Sequence, residues 1–381
     1  MDSAKPNRVF AETDRVDTQP LFYCILNSRG RANATRRLVS DWDGRRVRRA
    51  SPLRYVAAAC ALWVVACAAH AGVLPILKRG AVNGDRCRVI VSTDIGGSDP
   101  DDFQSMVHFL VYADLFDVEG LISSPPKQGR ATHIHKTVDA YERDYPNLVQ
   151  WSTAYPSPGQ LRAVVKQGAI DPAPEQGFSQ PTEGSRWIAA RAGAGDARPL
   201  YVLVWGSITD VAQAVHDDPA IKRNLRVYSI GSWNTSNDRA ARDYLFREHI
   251  DLWWIESDTT FRGMYVGGNQ EGEWGNKSFL ETHVRGHGAL GDFLVTKLGA
   301  IKMGDSPSVL YLLSGDPNDP AAPHWGGSFV KTDHGPNYWT DSQDAALQEG
   351  KYPGAKTVNA WRERFLTDWR DRMDRAAGRA R

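Results

Sequence analysis

Residues 93–102 read TDIGGSDPDD and lie between the apolar run Val89–Val91 and the amphipathic stretch Phe103–Tyr112. This order predicts a strand, a glycine-rich turn and a helix. A strand that ends in such a turn presents side chains at the carboxyl edge of a sheet, where open α/β folds bind ligands. The turn and the start of the helix carry four carboxylates, which are Asp94, Asp99, Asp101 and Asp102.

These four carboxylates need a partner of opposite charge. Crowded like charges repel one another strongly at low effective dielectric, and a bound cation or a raised pKa relieves that repulsion. Oxygen ligands favour a hard ion, Ca²⁺ before Mg²⁺. The alternative is an acidic turn without metal, in which Asp101 and Asp102 only favour the helix N-terminus. Capping does not need four acids, so the pattern favours a cation site.

Short β-branched runs alternate with longer helical patterns from Val89 onward. The alternation predicts the α/β class, with an open, mainly parallel sheet and helices on both faces. The predicted strands are Val89–Ser92, Val118–Ile122, Leu200–Val204, Leu225–Ile230 and Leu252–Ile255. The predicted helices are Phe103–Tyr112, Thr132–Arg143, Ser185–Ala192, Ile208–His216 and Arg239–Arg247.

Three segments fall outside this alternation. Tyr155–Thr182 is rich in Pro and Gly and predicts a surface loop with a short helix at Leu161–Gln167. Residues 262–290 have no clear period and predict a second long loop of functional character. The segment Val358–Arg379 predicts a terminal helix that docks through apolar residues at spacings of four, namely Trp361, Phe365, Trp369 and Met373.

The chain ahead of the predicted sheet has the pattern of an export signal. Five arginines within residues 42–54 precede the apolar run Tyr55–Ala69 and the small-residue site Ala69–Ala71, which predicts a signal peptide over residues 42–71. The run is shorter than the roughly 20 residues that span a membrane, so no stable span is expected after cleavage. A lipoprotein anchored through Cys67 is the alternative. Either way the location is secreted or periplasmic.

Composition limits the domain organisation, the partners and the cysteine chemistry that the chain can have. Residues 1–41 are polar and predict an extension that is disordered or precedes the true start, which leaves one domain over residues 72–381. That domain has 34 basic and 39 acidic side chains, and this balance argues against a nucleic-acid partner. Its single cysteine, Cys87, excludes an internal disulfide and a cysteine-based zinc site. The sequence is compatible with a homo-oligomer.

The acidic stretch resembles the signature of the nucleoside hydrolase superfamily, in which a carboxylate-rich turn holds Ca²⁺. Further stretches support the resemblance in the same order, at residues 200–214, 287–291, 304–308 and 325–327. The chain is more similar to the exported branch grouped with cellulose-binding proteins than to the purine and pyrimidine salvage enzymes. The resemblance spans about residues 89–373. It implies a nucleoside hydrolase-like, Rossmann-like fold for the domain 72–381.

The resemblance also implies a metal site and a catalytic base. Asp94 corresponds to the first acid of the family's turn, which is both a metal ligand and the neighbour of the attacking water. Asp102 and Asp305 correspond to the other carboxylate ligands, and the main-chain carbonyl of Trp205 or Gly206 to a fourth ligand. With water and two sugar hydroxyls, this set suits Ca²⁺.

The candidate substrate contacts are more widely spread. By resemblance, Asp101 accepts hydrogen bonds from sugar hydroxyls. His287 is a candidate leaving-group acid. Four residues in Gly-rich or Asn-rich segments can stack on a sugar ring or bind its hydroxyls, although each is equally compatible with an ordinary loop role; they are Trp233, Asn234, Asn237 and Trp274.

The chain departs from the salvage enzymes at two positions. Ser92 stands where they have a further acid, and Gly304 stands where they often have a histidine before the late aspartate. The turn is also two residues longer. Their sugar and leaving-group specificity is therefore not carried over.

The residues and the resemblance together predict an exported Ca²⁺-dependent glycosidase. It would hydrolyse an N- or O-glycosidic bond of a carbohydrate or nucleoside by attack of a metal-activated water, with Asp94 as the base. The first alternative is a non-catalytic carbohydrate-binding protein on the same scaffold, which Ser92 and Gly304 favour. The second alternative is an extracytoplasmic nucleosidase.

The export signal makes a direct prediction about the mature chain. Cleavage after Ala71 should leave Gly72 as the first residue, because the small residues Ala69 and Ala71 flank the cleavage position. Intact-mass spectrometry of the protein isolated from its native host measures this. A mature protein that retains Asp2, or one that begins at a lipidated Cys67, would contradict cleavage at this site.

Overall fold

The computed structural model describes residues 86–97, 99–127 and 129–379. The predicted extension 1–41 and the predicted signal peptide 42–71, which includes Cys67, lie outside these residues. No helix in the described ranges has both the length and the apolar character that crossing a membrane requires.

An eight-stranded sheet forms the centre of the described part. Its strands are β1 (Cys87–Thr93), β2 (Phe116–Ser123), β3 (Val165–Gln167), β4 (Leu200–Val204), β5 (Leu225–Ile230), β6 (Trp254–Ser257), β7 (Phe329–Lys331) and β8 (Tyr338–Asp341). Their order across the sheet is β3-β2-β1-β4-β5-β6-β8-β7. All neighbours are parallel except the antiparallel pair β7 and β8. The predicted open, mainly parallel α/β sheet is confirmed.

Helices cover both faces of this sheet. They are α1 (Asp101–Val111), α2 (Ala131–Trp151), α3 (Pro158–Ala163), α4 (Glu183–Ala192), α5 (Thr209–Asp217), α6 (Trp233–Asn237), α7 (Arg239–Glu248), α8 (Asn276–His283), α9 (Gly288–Lys297), α10 (Ser306–Leu313), α11 (Lys356–Asn359) and α12 (Arg362–Ala376). Val89 and Val91 belong to one buried apolar cluster and Ile90 to another. Because successive side chains of a strand point to opposite faces, β1 is covered on both sides.

The position of β1 explains where ligands can bind. β2 pairs with one edge of β1 and β4 with the other, so the chain moves to opposite sides of β1 from one parallel strand to the next. Such a reversal opens a crevice beyond the carboxyl ends of the strands. The acidic turn leaves β1 at this crevice, and α1 begins directly afterwards at Asp101.

The structure differs from the predicted elements mainly at the edges of the sheet. The strands β3, β7 and β8 were not predicted, because they are only three or four residues long and too short for a recognisable alternation. The predicted helix at Leu161–Gln167 is instead the end of α3 followed by β3. Residues 262–290, predicted as a loop, contain α8, whose Phe279 and Leu280 are fully buried. Packing stabilises this short helix where its own pattern is weak.

The predicted terminal helix is present in two parts. α11 and α12 follow one another closely, and the four apolar residues predicted to dock them are buried. Trp369 packs against the rings of Phe279 and His108, with centroid separations of 5.3 Å and 5.4 Å. The C-terminal segment is therefore part of the main core.

This packing predicts a large cost for truncating Trp369. The change Trp369→Ala removes a fully buried ring and should lower the free energy of unfolding by about 3–5 kcal/mol. Trp151→Ala is the matched control, because Trp151 is 40% exposed; it should cost less than about 1 kcal/mol. Urea unfolding followed by circular dichroism measures both values. Equal losses for the two variants would show that α12 does not contribute to the core as described.

Candidate functional site

A cleft of about 260 Å³ opens at the carboxyl edge of the sheet. It lies beyond the ends of β1, β4, β5 and β6, at the crevice that the strand order creates. Its lining is strongly polar, with five carboxylates, two cationic side chains and four aromatic rings. The lining residues are Asp94, Asp99, Asp101, Asp102, Trp205, Ile230, Gly231, Ser232, Trp233, Asn234, Phe261, Arg262, Tyr265, Lys302, Gly304 and Asp305.

Three carboxylates at the base of the cleft form a compact group. Asp101, Asp102 and Asp305 each place an oxygen atom within 4.8 Å of the others. Asp102 accepts a hydrogen bond from the hydroxyl of Thr93. The Oδ2 atom of Asp305 is buried and has no hydrogen-bond partner among the described residues. A buried carboxylate oxygen without a donor is costly unless a ligand supplies the missing charge.

Asp94 lies beside this group rather than within it. Its carboxyl lies close enough to that of Asp102 for the two to interact through their charges and, when one of them is protonated, through a hydrogen bond. The main chain of Asp94 forms a tight turn, in which the amide of Gly97 donates to the Asp94 carbonyl at 2.8 Å. Gly206 permits the close approach of the next strand, because a Cβ atom there would stand 2.8 Å from the Cβ of Asp94.

Burial and mutual repulsion raise the pKa values of the whole cluster. Burial, opposed in part by the hydrogen bond with Asp102, raises the pKa of Asp94 to about 6. Burial and the charge of Asp99 raise the pKa of Asp101 to about 7. Burial and the neighbouring carboxylates raise the pKa values of Asp102 and Asp305 well above their usual range. The metal-free cluster therefore retains protons that ordinary carboxyls release.

These raised pKa values have a defined effect on stability. An unfolded aspartate has a pKa near 3.9, so between about pH 4 and pH 7 the folded cluster binds more protons than the unfolded chain. Without metal, the contribution of the cluster to stability is present at low pH and is lost as the pH rises through this range. A divalent cation would replace those protons. An oxygen-only donor set with one orphaned buried oxygen suits a hard cation such as Ca²⁺.

Sequence reasoning identified part of this ligand group. Asp102 and Asp305 were predicted as ligands, and the structure brings them together with Asp101, which was predicted to bind sugar hydroxyls. Asp94 lies next to the group through Asp102. Trp205 lines the cleft, and its main-chain carbonyl accepts a hydrogen bond from the Asn234 side chain at 2.9 Å. Asn234 therefore orients Trp205. Its predicted role was a contact with sugar hydroxyls, and this second role was not predicted.

Three predicted site residues lie outside the cleft lining. Both ring nitrogens of His287 are engaged, Nδ1 with the carbonyl of Arg285 at 3.0 Å and Nε2 with Arg379 at 2.6 Å. Trp274 stacks on Phe279, and Asn237 donates to a carbonyl of its own helix. The structure thus does not bring His287, Trp274 or Asn237 to the acid cluster. Trp233, in contrast, lines the cleft and is half exposed.

Several lining residues were missed by sequence reasoning. Phe261 and Arg262 lie in the 3-10 helix Thr260–Met264 after β6, and Tyr265 follows it directly. Lys302 lies in the loop before α10. Lys302 forms an ion pair with Asp99. The sequence holds one weak signal for this group, because Lys302 comes three residues before Asp305. Nothing in the local pattern of residues 261–265 indicates that they meet β1.

The fold and the site define a class of protein. It is an open α/β domain with an acidic cleft at the point where the strand order reverses, and three carboxylates of that cleft could hold a cation. A family model described as "Cellulose-binding Sde182, nucleoside hydrolase-like domain" matches residues 88–329. The chain belongs to this family, which confirms the predicted resemblance. Among curated proteins, no sequence matches the chain significantly.

The chain is also similar to several solved structures. A nucleoside hydrolase-related protein from Saccharophagus degradans, described as associated with carbohydrate metabolism, is 26% identical, with a TM-score of 0.61 over 76% of this chain and 72% of that chain. A plant nucleoside hydrolase is 15% identical, with a TM-score of 0.46 over 76% of this chain and 99% of that chain. A purine-preferring ribonucleoside hydrolase from Gardnerella vaginalis is 16% identical, with a TM-score of 0.43 over 76% and 99%.

The crowded carboxylates predict that one substitution raises the melting temperature without metal and weakens the stabilisation by Ca²⁺. Asp305→Asn removes a carboxyl whose pKa burial and its neighbours raise in the folded protein, and at pH 8 that raised pKa costs stability relative to the ionised unfolded chain. In EDTA at pH 8 the variant should therefore have a melting temperature about 2–5 °C higher. The same variant should lose most of the stabilisation that millimolar Ca²⁺ gives the wild type. At pH 4.5 the increase in EDTA should be small, because the wild-type cluster is then protonated. Scanning calorimetry measures all three conditions.

Asp341→Asn serves as the control for this experiment. Asp341 is also buried, but its carboxylate accepts hydrogen bonds from the amides of Asp258, Thr259 and Thr260. Asparagine would place an amide NH2 against one of these donors, so the substitution should lower the melting temperature both with and without Ca²⁺. If Asp305→Asn behaves like this control at pH 8, charge repulsion is not the dominant property of the cluster.

Proposed function

We propose that this protein is an exported, Ca²⁺-dependent glycosidase that cleaves an N- or O-glycosidic bond of a carbohydrate. The observation that carries the proposal is the buried group of Asp101, Asp102 and Asp305 with Asp94 beside it, at the base of a cleft. Families of this fold use such a cluster around a cation, and the family description and the Saccharophagus degradans relative both connect this branch with carbohydrates.

The metal would be held by Asp102 and Asp305, with Asp101 as a third carboxylate and the carbonyl of Trp205 as a neutral ligand. Bound there, Ca²⁺ would supply the positive charge that lowers the pKa of water and orients sugar hydroxyls. Trp205 is suited to a fixed position, because its indole donates to the Ser308 hydroxyl at 2.8 Å. The cluster thus has ligands that are already oriented by their neighbours.

Asp94 has the properties of a general base in this arrangement. It is buried and borders the carboxylate group, and burial raises its pKa, which makes its carboxylate a better proton acceptor than an exposed one. A water held between Asp94 and the anomeric carbon would lose a proton to the Asp94 carboxylate as its oxygen bonds to that carbon. The glycosidic bond would break at the same time, and the leaving group would depart with the bonding electron pair and take a proton from solvent. The oxocarbenium-like transition state would be stabilised by the surrounding negative charge.

The rim of the cleft suits a sugar ring. The half-exposed indole of Trp233 offers a flat apolar face, on which the C–H face of a sugar can stack. The Tyr265 hydroxyl also lines the cleft and can donate to a sugar oxygen. Export of the protein would bring this site into contact with glycans outside the cytoplasm.

One observation favours a second candidate function. No histidine is among the residues that line the described cleft, and His287 is engaged elsewhere. A cleft with a base and a cation site but no evident leaving-group acid also fits a carbohydrate-binding protein that does not hydrolyse its ligand, as the words "cellulose-binding" suggest for the family. Ser92 and Gly304 agree with this alternative.

The experiment separates turnover from binding. Calorimetry of the domain with Ca²⁺ tests the metal site, and release of reducing sugar from oligosaccharides and from nucleosides tests hydrolysis. Asp94→Asn should lower the rate by roughly two to four orders of magnitude while sugar binding persists. Asp101→Asn should raise KM and weaken Ca²⁺ binding together, because Asp101 belongs to the carboxylate group.

Asp210→Asn is the matched control for Asp94→Asn. Asp210 is fully buried with a pKa that burial also raises to about 6, but it accepts bonds from Thr182 and from the amide of Ala169, away from the cleft lining. The folded control should keep the wild-type rate. Wild-type turnover by Asp94→Asn would remove Asp94 as the base. Sugar binding without hydrolysis of any substrate by the wild type would establish the binding protein instead.

A further inference from the structure

Arg262 is a cationic side chain in the cleft that no carboxylate neutralises. It lines the cleft together with five aspartates, yet among the described residues no carboxylate oxygen lies within 4.0 Å of its guanidinium. Lys302, the other cation of the lining, differs in this respect because it is paired with Asp99. The cleft therefore has an acidic base and a separate cationic wall.

Neutral groups hold the Arg262 guanidinium in place. Nη1 donates to the Tyr265 hydroxyl at 2.9 Å, and Nη2 donates to the Ser232 hydroxyl at 3.3 Å. The guanidinium carbon lies 4.8 Å from the centroid of the Phe261 ring and 4.9 Å from that of Tyr352. These contacts orient the side chain but leave its full charge available, since aromatic rings and hydroxyls do not cancel it.

Arg262 also retains unused hydrogen-bond donors. Its Nε atom is buried and has no partner among the described residues. Arg242 provides the contrast, because it packs over the Phe246 ring in a similar way but donates from Nε and Nη2 to the carboxylate of Glu256. A guanidinium recognises an oxyanion through such paired donors. Arg262 has no such carboxylate among the described residues, and its Nη2 atom donates only to the neutral Ser232 hydroxyl.

The backbone beside Arg262 has an unusual conformation at Ser232. Ser232 has φ = +60°, the one positive φ of a non-glycine residue in the described part. Its amide donates to Asp258 at 2.7 Å while its hydroxyl accepts from Arg262. A strained residue persists where surrounding contacts hold it, and such residues cluster at ligand sites. The strain here aligns the Ser232 hydroxyl with the guanidinium.

We propose that Arg262 binds an anionic group of the substrate, so that the cleft takes an acidic sugar rather than a neutral one. The inference rests on the proposed function, because it uses the same cleft for the sugar. The anion would be an oxyanion on the part of the substrate that faces away from the acid cluster. Two sources present this chemistry, the carboxylate of a uronic acid and the phosphate of a sugar phosphate.

Charge balance sets a condition on this binding. The five aspartates of the lining repel an anion, and the ion pair of Lys302 offsets only one of them. The proposed Ca²⁺ would offset two more charges, so anionic sugars should bind more tightly to the Ca²⁺-loaded protein than to the protein in EDTA. A neutral sugar should show no such additional dependence at the Arg262 end of the cleft.

The test compares matched pairs of sugars by calorimetry or ligand-detected NMR on the Ca²⁺-loaded protein. The pairs are glucuronate with glucose, galacturonate with galactose, and ribose 5-phosphate with ribose. The wild type should bind an anionic member roughly 10- to 100-fold more tightly than its neutral partner. Preference within the first two pairs identifies a carboxylate, and preference within the third alone identifies a phosphate.

Substitutions assign the preference to Arg262. In Arg262→Gln the ratio of the two Kd values should fall toward one, and in Arg262→Lys it should be intermediate, because charge is kept but the planar fork is lost. Arg226→Gln is the matched control: Arg226 also lies over a ring, that of Trp253 at 5.5 Å, but outside this cleft. Its ratio should equal that of the wild type. Melting temperatures confirm that each variant is folded.

The outcomes distinguish this inference from the proposed function. Ca²⁺-dependent binding of neutral sugars without any preference for their anionic partners would overturn the inference and leave the proposed function in place. A preference that survives in Arg262→Gln would also overturn it. If no sugar of either kind binds, the proposed function and this inference fall together.

Discussion

The structure of the cleft depends on repulsion among buried carboxylates near the end of β1, which the rest of the fold must offset. Asp94, Asp102 and Asp305 are nearly inaccessible to solvent, so water cannot screen their charges. The chain tolerates this crowding only because the rest of the fold supports it: two buried apolar clusters fix β1 from both faces. Stability given up at such a cluster is a common property of functional sites, and here three of the carboxylates lie close enough together to hold a metal ion.

One glycine and two polar side chains set the shape of the cleft near the carboxylates. Gly206 lets β4 approach Asp94 closely, since any Cβ atom there would collide with it. Asn234 and Ser308 hold Trp205 by its carbonyl and its indole. These contacts fix the orientation of Trp205 at the base of the cleft. Trp233 and Arg262 also line the cleft, on segments that follow β5 and β6.

Membership of the family accounts for the fold, whereas the ligand that the cleft binds depends on side chains particular to this chain. A nucleoside hydrolase-like domain can keep the acidic cluster while its rim changes, because the two depend on different segments. The cluster depends on the turn after β1, the start of α1 and the residue before α10, whereas the rim depends on the segments after β5 and β6. His287 illustrates the point. It belongs to a stretch that supports the resemblance, yet it anchors Arg379 and does not reach the cleft.

The sequence by itself determined the α/β class, the central strands, the acidic turn and two of the three grouped carboxylates. These features are local: alternation of apolar runs and an acid-rich turn can be recognised without knowledge of the rest of the chain. Only the tertiary structure decided that Asp101 joins Asp102 and Asp305, that His287 lies elsewhere, and that Arg262 lines the cleft without an ion pair to any carboxylate of the described residues. The physical reason is that each depends on contacts between segments far apart in the chain, where packing between elements, and not local pattern, sets which side chains meet.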